Sequence, residues 1–277
     1  MKTPKNVHGA LLGMVCLLNA LTSCKKQDTI NLQNGSVINN SEKSTTSVTS
    51  TIGAPSSNVN FSNALSQCKL QSSYENSGTS TTDYNTNGLV KSDYFYLSST
   101  NKMVLISPLG ASERTELRQN ADMSLNTSQR MRFDAVIENI PSGSGVTIAQ
   151  VHNDYSAVEK PLIRVYISGT SSTSKTITSK MSNTYEKDDT SYTSGSGSVS
   201  FSNGQRVYVR LQFQTSGKKI AVYVENKDNG QVYSQTYTVP SAWNNADGNY
   251  YFKTGAYNQG SDQKAKLSYN SLYIDQP

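Results

Sequence analysis

The chain has 277 residues, 35% of them hydrophobic and 16% charged, with 25 Lys and Arg against 20 Asp and Glu. Residues 1–55 hold five Lys and two acids, so the remainder carries 20 basic and 18 acidic side chains, a net of +2. That bulk field is too weak to capture a polyanion; no nucleic-acid partner is expected, and affinity for an acidic ligand has to come from local placement of Arg and Lys.

At the N-terminus Lys2 and Lys5 precede an apolar run from Ala10 to Leu21, followed by Leu21-Thr22-Ser23-Cys24. A basic start, a short apolar run and small residues read as a secretory signal peptide over residues 1–23, too short to span a membrane. Leu-Thr-Ser-Cys resembles the bacterial lipobox, which implies lipidation of Cys24, a membrane anchor and a place at the bacterial cell envelope; a secreted form is the alternative. Residues 24–57 are rich in Ser, Thr and Asn and carry no sustained apolar pattern. They cannot bury enough surface to offset their ordering entropy and are expected to form a flexible tether. Residues 58–277 then make one domain, expected to act as a monomer.

Cys16 lies in the leader and Cys24 at the lipidation point, so Cys68 is the domain's one thiol. With no disulfide the domain relies on its core, and Cys68 is expected to be a buried small hydrophobe, because nothing beside it in sequence would activate a thiolate. His8 also falls in the leader, which makes His152 the single imidazole of the mature chain. One thiol and one imidazole cannot build a metal cage, and no metal or other cofactor is expected.

The first strand that carries chemistry is Arg114-Thr115-Glu116-Leu117-Arg118-Gln119. Arg114, Glu116 and Arg118 share one face of it. A carboxylate between two guanidinium groups can hold them while their other donors meet an anion; the same trio also reads as a self-satisfied surface ladder. Met131, Phe133, Ala135 and Ile137 alternate with Arg132, Asp134, Val136 and Glu138, the period of a strand. Val146, Ile148, Gln150 and His152 alternate with Thr147, Ala149 and Val151. Residues two apart on a strand are separated by roughly 6.6 Å, so the Gln150 amide and the His152 ring can reach one ligand.

Further on, Glu186, Asp188 and Asp189 lie in the Ser/Thr-rich segment 184–197, expected to be a solvated edge or a lid. Val207, Val209, Leu211 and Phe213, then Ile220, Val222 and Val224, repeat the strand period before Lys227-Asp228-Asn229-Gly230, whose Asn-Gly signals a hairpin turn. In Tyr250–Gly260, Lys253, Gly255, Tyr257 and Gln259 share a face, and Gly255 leaves a gap beside Tyr257 that a bound chain could fill. No long helical period competes. The fold class is all-β: a β-sandwich or jelly roll of two antiparallel sheets, of which one often curves into a concave substrate groove.

Three stretches in this order, Arg114 to Arg118, Gln150-Val151-His152 and Tyr251 to Gln259, resemble the signature of polysaccharide lyase family 7 alginate lyases. The resemblance extends over most of residues 58–277; Cys68 departs from it, where the family would have Trp. It implies a jelly roll that cleaves alginate by removing the C5 proton of a uronate and expelling the C4 oxygen. By resemblance Arg114, Gln150 and His152 neutralise the sugar carboxylate. Tyr257 serves as base and then acid on mannuronate, whereas on guluronate His152 is the base and Tyr257 the acid. Arg118, Lys253, Asn258 and Gln259 hold neighbouring uronates, with Glu116 orienting the arginines. Val151, rather than Ile, implies mannuronate preference. A lyase for another polyuronate shares this chemistry, a noncatalytic carbohydrate-binding lipoprotein needs only the aromatics, and a hydrolase needs a second carboxylate that these motifs lack.

Overall fold

A computed structural model describes residues 52–76, 80–140, 143–169, 175–259 and 263–277. The predicted leader, Cys24 and most of the predicted tether lie outside them. Along the chain the strands are β1 (Cys68–Ser72), β2 (Thr82–Asn85), β3 (Phe95–Leu97), β4 (Met103–Ile106), β5 (Arg114–Gln119), β6 (Arg130–Asn139), β7 (Gly143–Asn153) and β8 (Ile163–Gly169). They continue as β9 (Lys175–Ser182), β10 (Tyr192–Ser194), β11 (Val199–Phe201), β12 (Arg206–Gln214), β13 (Lys219–Asn226), β14 (Val232–Thr238), β15 (Tyr250–Asn258) and β16 (Lys266–Asp275). One sheet has nine strands, ordered β10-β9-β8-β7-β15-β5-β1-β2 with β11 on β9; the other has seven, ordered β14-β13-β12-β6-β16-β4-β3. All pairings are antiparallel, as the alternating sequence predicts.

The core lies between the sheets. Phe213 of the seven-stranded sheet meets Phe252 of the other at 5.7 Å between ring centroids, and the Tyr269 hydroxyl lies 2.9 Å from Thr254 Oγ1 across the same gap. Cys68 is buried among apolar side chains and its thiol is pushed up to about 12 by burial, the inert state expected of it.

Four local differences from the sequence reading have physical causes. The domain begins before residue 58: Gly53 pairs with Leu97, and Pro55–Ser57 form a 3-10 turn whose Pro55 is buried. A helix, α1 (Val59–Ser66), is short enough to escape a periodicity argument; Asn58 caps it by accepting from Asn60 N at 2.9 Å, and Phe61 and Leu65, four residues apart, bury one face. Asn229-Gly230 does mark a turn, but residues 227–231 connect β13 and β14, and the Asn226 side chain closes that longer loop by accepting from Asp228 N and Asn229 N.

The fourth difference shapes the site. β7 does not alternate strictly: Thr147 pairs with Tyr166 and Ala149 with Val165, so Ile148 is an extra residue. The bulge sends Val146, Ala149 and Val151 toward the core and places Thr147, instead of Ile148, on the face of Gln150 and His152. Opposite it, β15 is irregular between Thr254 and Tyr257. There Gly255 has φ +153°, and a Cβ would stand 2.3 Å from Thr115 O and 2.6 Å from Glu116 Cα. Gly255 therefore permits close approach of two backbones, and the gap expected beside Tyr257 is filled by β5. Gly255→Ala should cost at least about 2 kcal/mol in urea unfolding, since backbone atoms cannot step aside; wild-type stability would show that the strands separate freely.

Candidate active site

β5, β15 and β7 are neighbours, and their register gathers the predicted side chains. Arg118 pairs with Lys253 and Lys253 with Gln150; further along, Glu116 pairs with Gly255 and Arg114 with Tyr257. These residues lie on the face away from the core, yet Glu116 and Gln150 are 1% exposed and Lys253 4%. Polar side chains so covered on an outer face mean that the face is recessed there.

Glu116 is the hub of that recess. Gln150 Nε2 donates to its Oε1 at 2.7 Å, and Lys253 Nζ stands 2.7 Å from its Oε2. Burial pushes the carboxyl up, but the charges of Lys253 and Arg114 and the two hydrogen bonds outweigh it, holding Glu116 below the usual carboxylate range and ionised. Glu116 thus orients Gln150 and Lys253, not the arginines as expected. Arg114 lays its guanidinium over the Tyr257 ring, 4.0 Å from the centroid, and donates to Ser112 O at 3.3 Å. Arg118 covers the Tyr251 ring at 3.9 Å and pairs with Asp154. Aromatic faces on the next strand take the two long cations because planar guanidinium stacks there without losing its outward donors.

The His152 ring stacks on Tyr251, with centroids 5.7 Å apart and an interplanar angle of 17°. Its Nδ1 accepts from Asn153 N at 2.9 Å and lies 3.1 Å from Asn153 O. Burial, then Lys253, pull its pKa from 6.5 down to about 4, against the opposing Asn153 carbonyl and Glu116. The imidazole is therefore neutral at ordinary pH. Glu116 and Asp154 are both engaged in ion pairs, so neither is the free acid that glycoside hydrolysis requires.

A family model described as alginate lyase matches residues 63–276. The chain belongs to the alginate lyase family. No curated protein matches its sequence. Solved structures with the same fold include alginate lyase AlyC3, at 18% identity and TM-score 0.64 over 81% of this chain and 95% of that one. AlyC3 is also solved in complex with dimannuronate, at 17% identity and TM-score 0.64, covering 81% of this chain and 94% of that one. Alginate lyase PA1167 from Pseudomonas aeruginosa matches at 20% identity and TM-score 0.60 over 77% and 99%. At such identities the likeness speaks for the jelly-roll fold.

In this alginate lyase the structure separates the remaining predicted residues. Gln259 is half-buried on the site side, its Oε1 accepting from Arg164 Nη1 at 3.3 Å. Asn258, expected to hold a uronate, is fully buried: it donates through Nδ2 to Ser107 Oγ at 2.7 Å, Pro108 O at 3.0 Å and Gln263 O at 3.1 Å, and so ties loops together. Its position next to Tyr257 on a strand turns it to the other face. Val151 is buried on the core side. The segment 184–197, expected as a solvated edge or a lid, contacts its neighbours at three points: β10 pairs with β9, Tyr185 meets Trp243 edge-on at 5.8 Å, and Lys160 Nζ donates to Asp189 O. Tyr251, Asp154 and Arg164 escaped the sequence reading; Tyr251 was findable, being two residues before Lys253 on the same face.

The lowered His152 pKa has a definite sign. The unfolded chain binds a proton near pH 6.5 and the folded one only near 4, so this contribution is complete above 6.5 and is lost as pH falls toward 4. Between pH 7 and 4.5 the lyase should lose about 2–3 kcal/mol on this account, and His152→Gln should lose that much less in paired denaturation curves. Equal losses in both proteins would refute the half-buried neutral imidazole.

Proposed function

We propose that this alginate lyase works by β-elimination on uronate chains, with preference for mannuronate. The observation that carries the reading is the convergence of Arg114, Gln150, His152 and Tyr257 around a carboxylate, Glu116, that cannot act as an acid. The C5 proton of a uronate is weakly acidic until the adjacent carboxylate is neutralised, so positioned donors are what the reaction needs. Gln150 has a second N–H beyond the one given to Glu116, Arg114 has donors beyond Ser112, and neutral His152 offers Nε2–H. When the C5–H bond breaks, its electron pair forms the C4–C5 double bond as the C4–O bond breaks. Tyr257 Oη takes the C5 proton and supplies one to the departing oxygen. The dimannuronate bound by AlyC3 supports a uronate chain as the ligand.

The tautomer of His152 supports the mannuronate preference. Asn153 N–H donates to Nδ1 at 2.9 Å in the tautomer that carries its proton on Nε2, and in that tautomer the ring meets the substrate as a donor. Both proton steps then fall to Tyr257. That suits mannuronate, whose C5 hydrogen and C4 oxygen leave from one side; guluronate needs a base on the opposite side. Val151 bears on this only through the core, where its side chain lies.

The test is ultraviolet absorbance over time with mannuronate-rich alginate, guluronate-rich alginate and pectate in parallel. The conjugated double bond left by elimination should appear fastest on the first; a faster rise on the second reverses the preference, and a rise on pectate alone replaces the substrate. The lipobox-like Leu21-Thr22-Ser23-Cys24 further supports a lyase anchored at the cell envelope through lipid on Cys24. Cys24→Ala should then move the protein from the membrane fraction into the soluble one, and an unchanged distribution would remove the anchor.

A further inference from the structure

The register that assembles the centre continues beyond it. Lys69, Arg118, Lys253, Gln150, Arg164 and Lys180 are successive cross-strand partners from β1 to β9, so five cations stand in one row across the sheet. Three are compensated within the protein: Lys69 lies 2.5 Å from Asp83, Arg118 pairs with Asp154, and Lys253 lies 2.7 Å from Glu116.

The other two differ. Among the described residues no carboxylate forms an ion pair with Arg164 or Lys180. Arg164 Nε is buried without a hydrogen-bond partner, and its Nη1 reaches only the neutral Gln259. Lys180 lies over the Tyr192 ring at 4.5 Å and the Tyr166 ring at 5.3 Å. Burial and the neighbouring Arg164 both disfavour its charge. Like charges directly opposite each other on paired strands destabilise a sheet, and an anion between them removes the penalty. Two half-buried cations, flanked by aromatic faces and with no counterion among the described residues, therefore define a vacancy in charge that a carboxylate fits.

We infer that Arg164 and Lys180, framed by Tyr166 and Tyr192, form a second carboxylate subsite, which binds a further uronate of the chain being cleaved. The inference deepens the alginate reading and rests on it. β8 and β9 lie two and three strands from β15, about 10 and 14 Å at a strand spacing of about 4.8 Å. Arg164 is the direct cross-strand partner of Gln150, whereas Lys180 stands two strands from Gln150 and His152 and three from Tyr257; the Lys180 end of the subsite is thus removed from the reacting carbons, and its binding energy is the same before and during elimination. Such uniform binding appears in KM and leaves kcat alone.

The experiment compares the full chain with its Lys180→Gln form on long mannuronate-rich alginate and on trimannuronate. KM for the polymer should rise about tenfold or more with kcat within about twofold, while the trisaccharide, too short to span both sites, is turned over unchanged. Lys180→Arg in the otherwise native chain should keep most of the polymer affinity. An unchanged polymer KM overturns the subsite, as does a loss of kcat on both substrates, which would mark a structural role. Calorimetric titration of the same polymer into the Tyr257→Phe chain, with and without Lys180→Gln, reads binding without turnover. Weaker binding there, alongside a native chain that does not eliminate alginate, would remove the lyase chemistry and keep the subsite; equal binding alongside normal elimination would do the reverse.

Discussion

Tyr257→Phe is expected to lower kcat on alginate by roughly 10²–10⁴-fold, the range for removing a positioned proton-transfer group, while polymer affinity in calorimetry changes by less than about threefold. Phenylalanine is the informative replacement because the ring over which Arg114 lies at 4.0 Å is retained, so the guanidinium keeps its seat. Alanine would remove both the hydroxyl and the seat. The register opposite Arg114 and Thr147 is set by backbone hydrogen bonds that the substitution leaves intact. Near-normal turnover would take Tyr257 out of the reaction and leave His152 as the proton acceptor, with the Asn153 carbonyl holding Nδ1–H.

The second large effect belongs to Glu116→Gln. The shape is kept but the charge that faces Lys253 at 2.7 Å is lost, in a pocket where both side chains are almost wholly covered. Removing one partner of a buried pair strands the other, at a cost of about 3–5 kcal/mol in unfolding free energy. Activity should fall with it, because the amide keeps one acceptor oxygen for two donors, Gln150 Nε2 and Lys253 Nζ, and turns its NH2 toward the other. Glu116→Leu combined with Lys253→Met should recover much of the stability and none of the turnover. If Glu116→Gln proves as stable as the native chain, the pair is not the hub of the recess.

What the sequence made legible follows from range. Parity along one strand put Arg114, Glu116 and Arg118 on one face, joined Gln150 to His152 and Lys253 to Tyr257, and the structure keeps all of these. Parity also turned Asn258 away from Tyr257; family resemblance overrode it, and the buried amide of Asn258 shows that the local rule was the better guide. Parity failed at Ile148, where a bulge inserts a residue that no composition signal announces. Which carboxylate serves which cation was not legible, because Glu116 meets Lys253 and Gln150 across strands that lie more than thirty residues away in sequence. Arg164 and Lys180 were invisible for the same reason: Arg164 sits unremarkably between Ile163 and Val165 and Lys180 between Ser179 and Met181, and only the register of β7, β8 and β9 sets them side by side.

The row from Lys69 to Lys180 has a consequence for evolution of the groove. Its members are spaced by the amide ladder between strands, a dimension common to all sheets and beyond the reach of point mutation. Substitution can exchange the ion at each rung but cannot stretch the ruler. Tolerance for a polymer of matching sugar pitch is therefore inherited with the backbone, whereas the cation at any one rung can drift while the fold stands still.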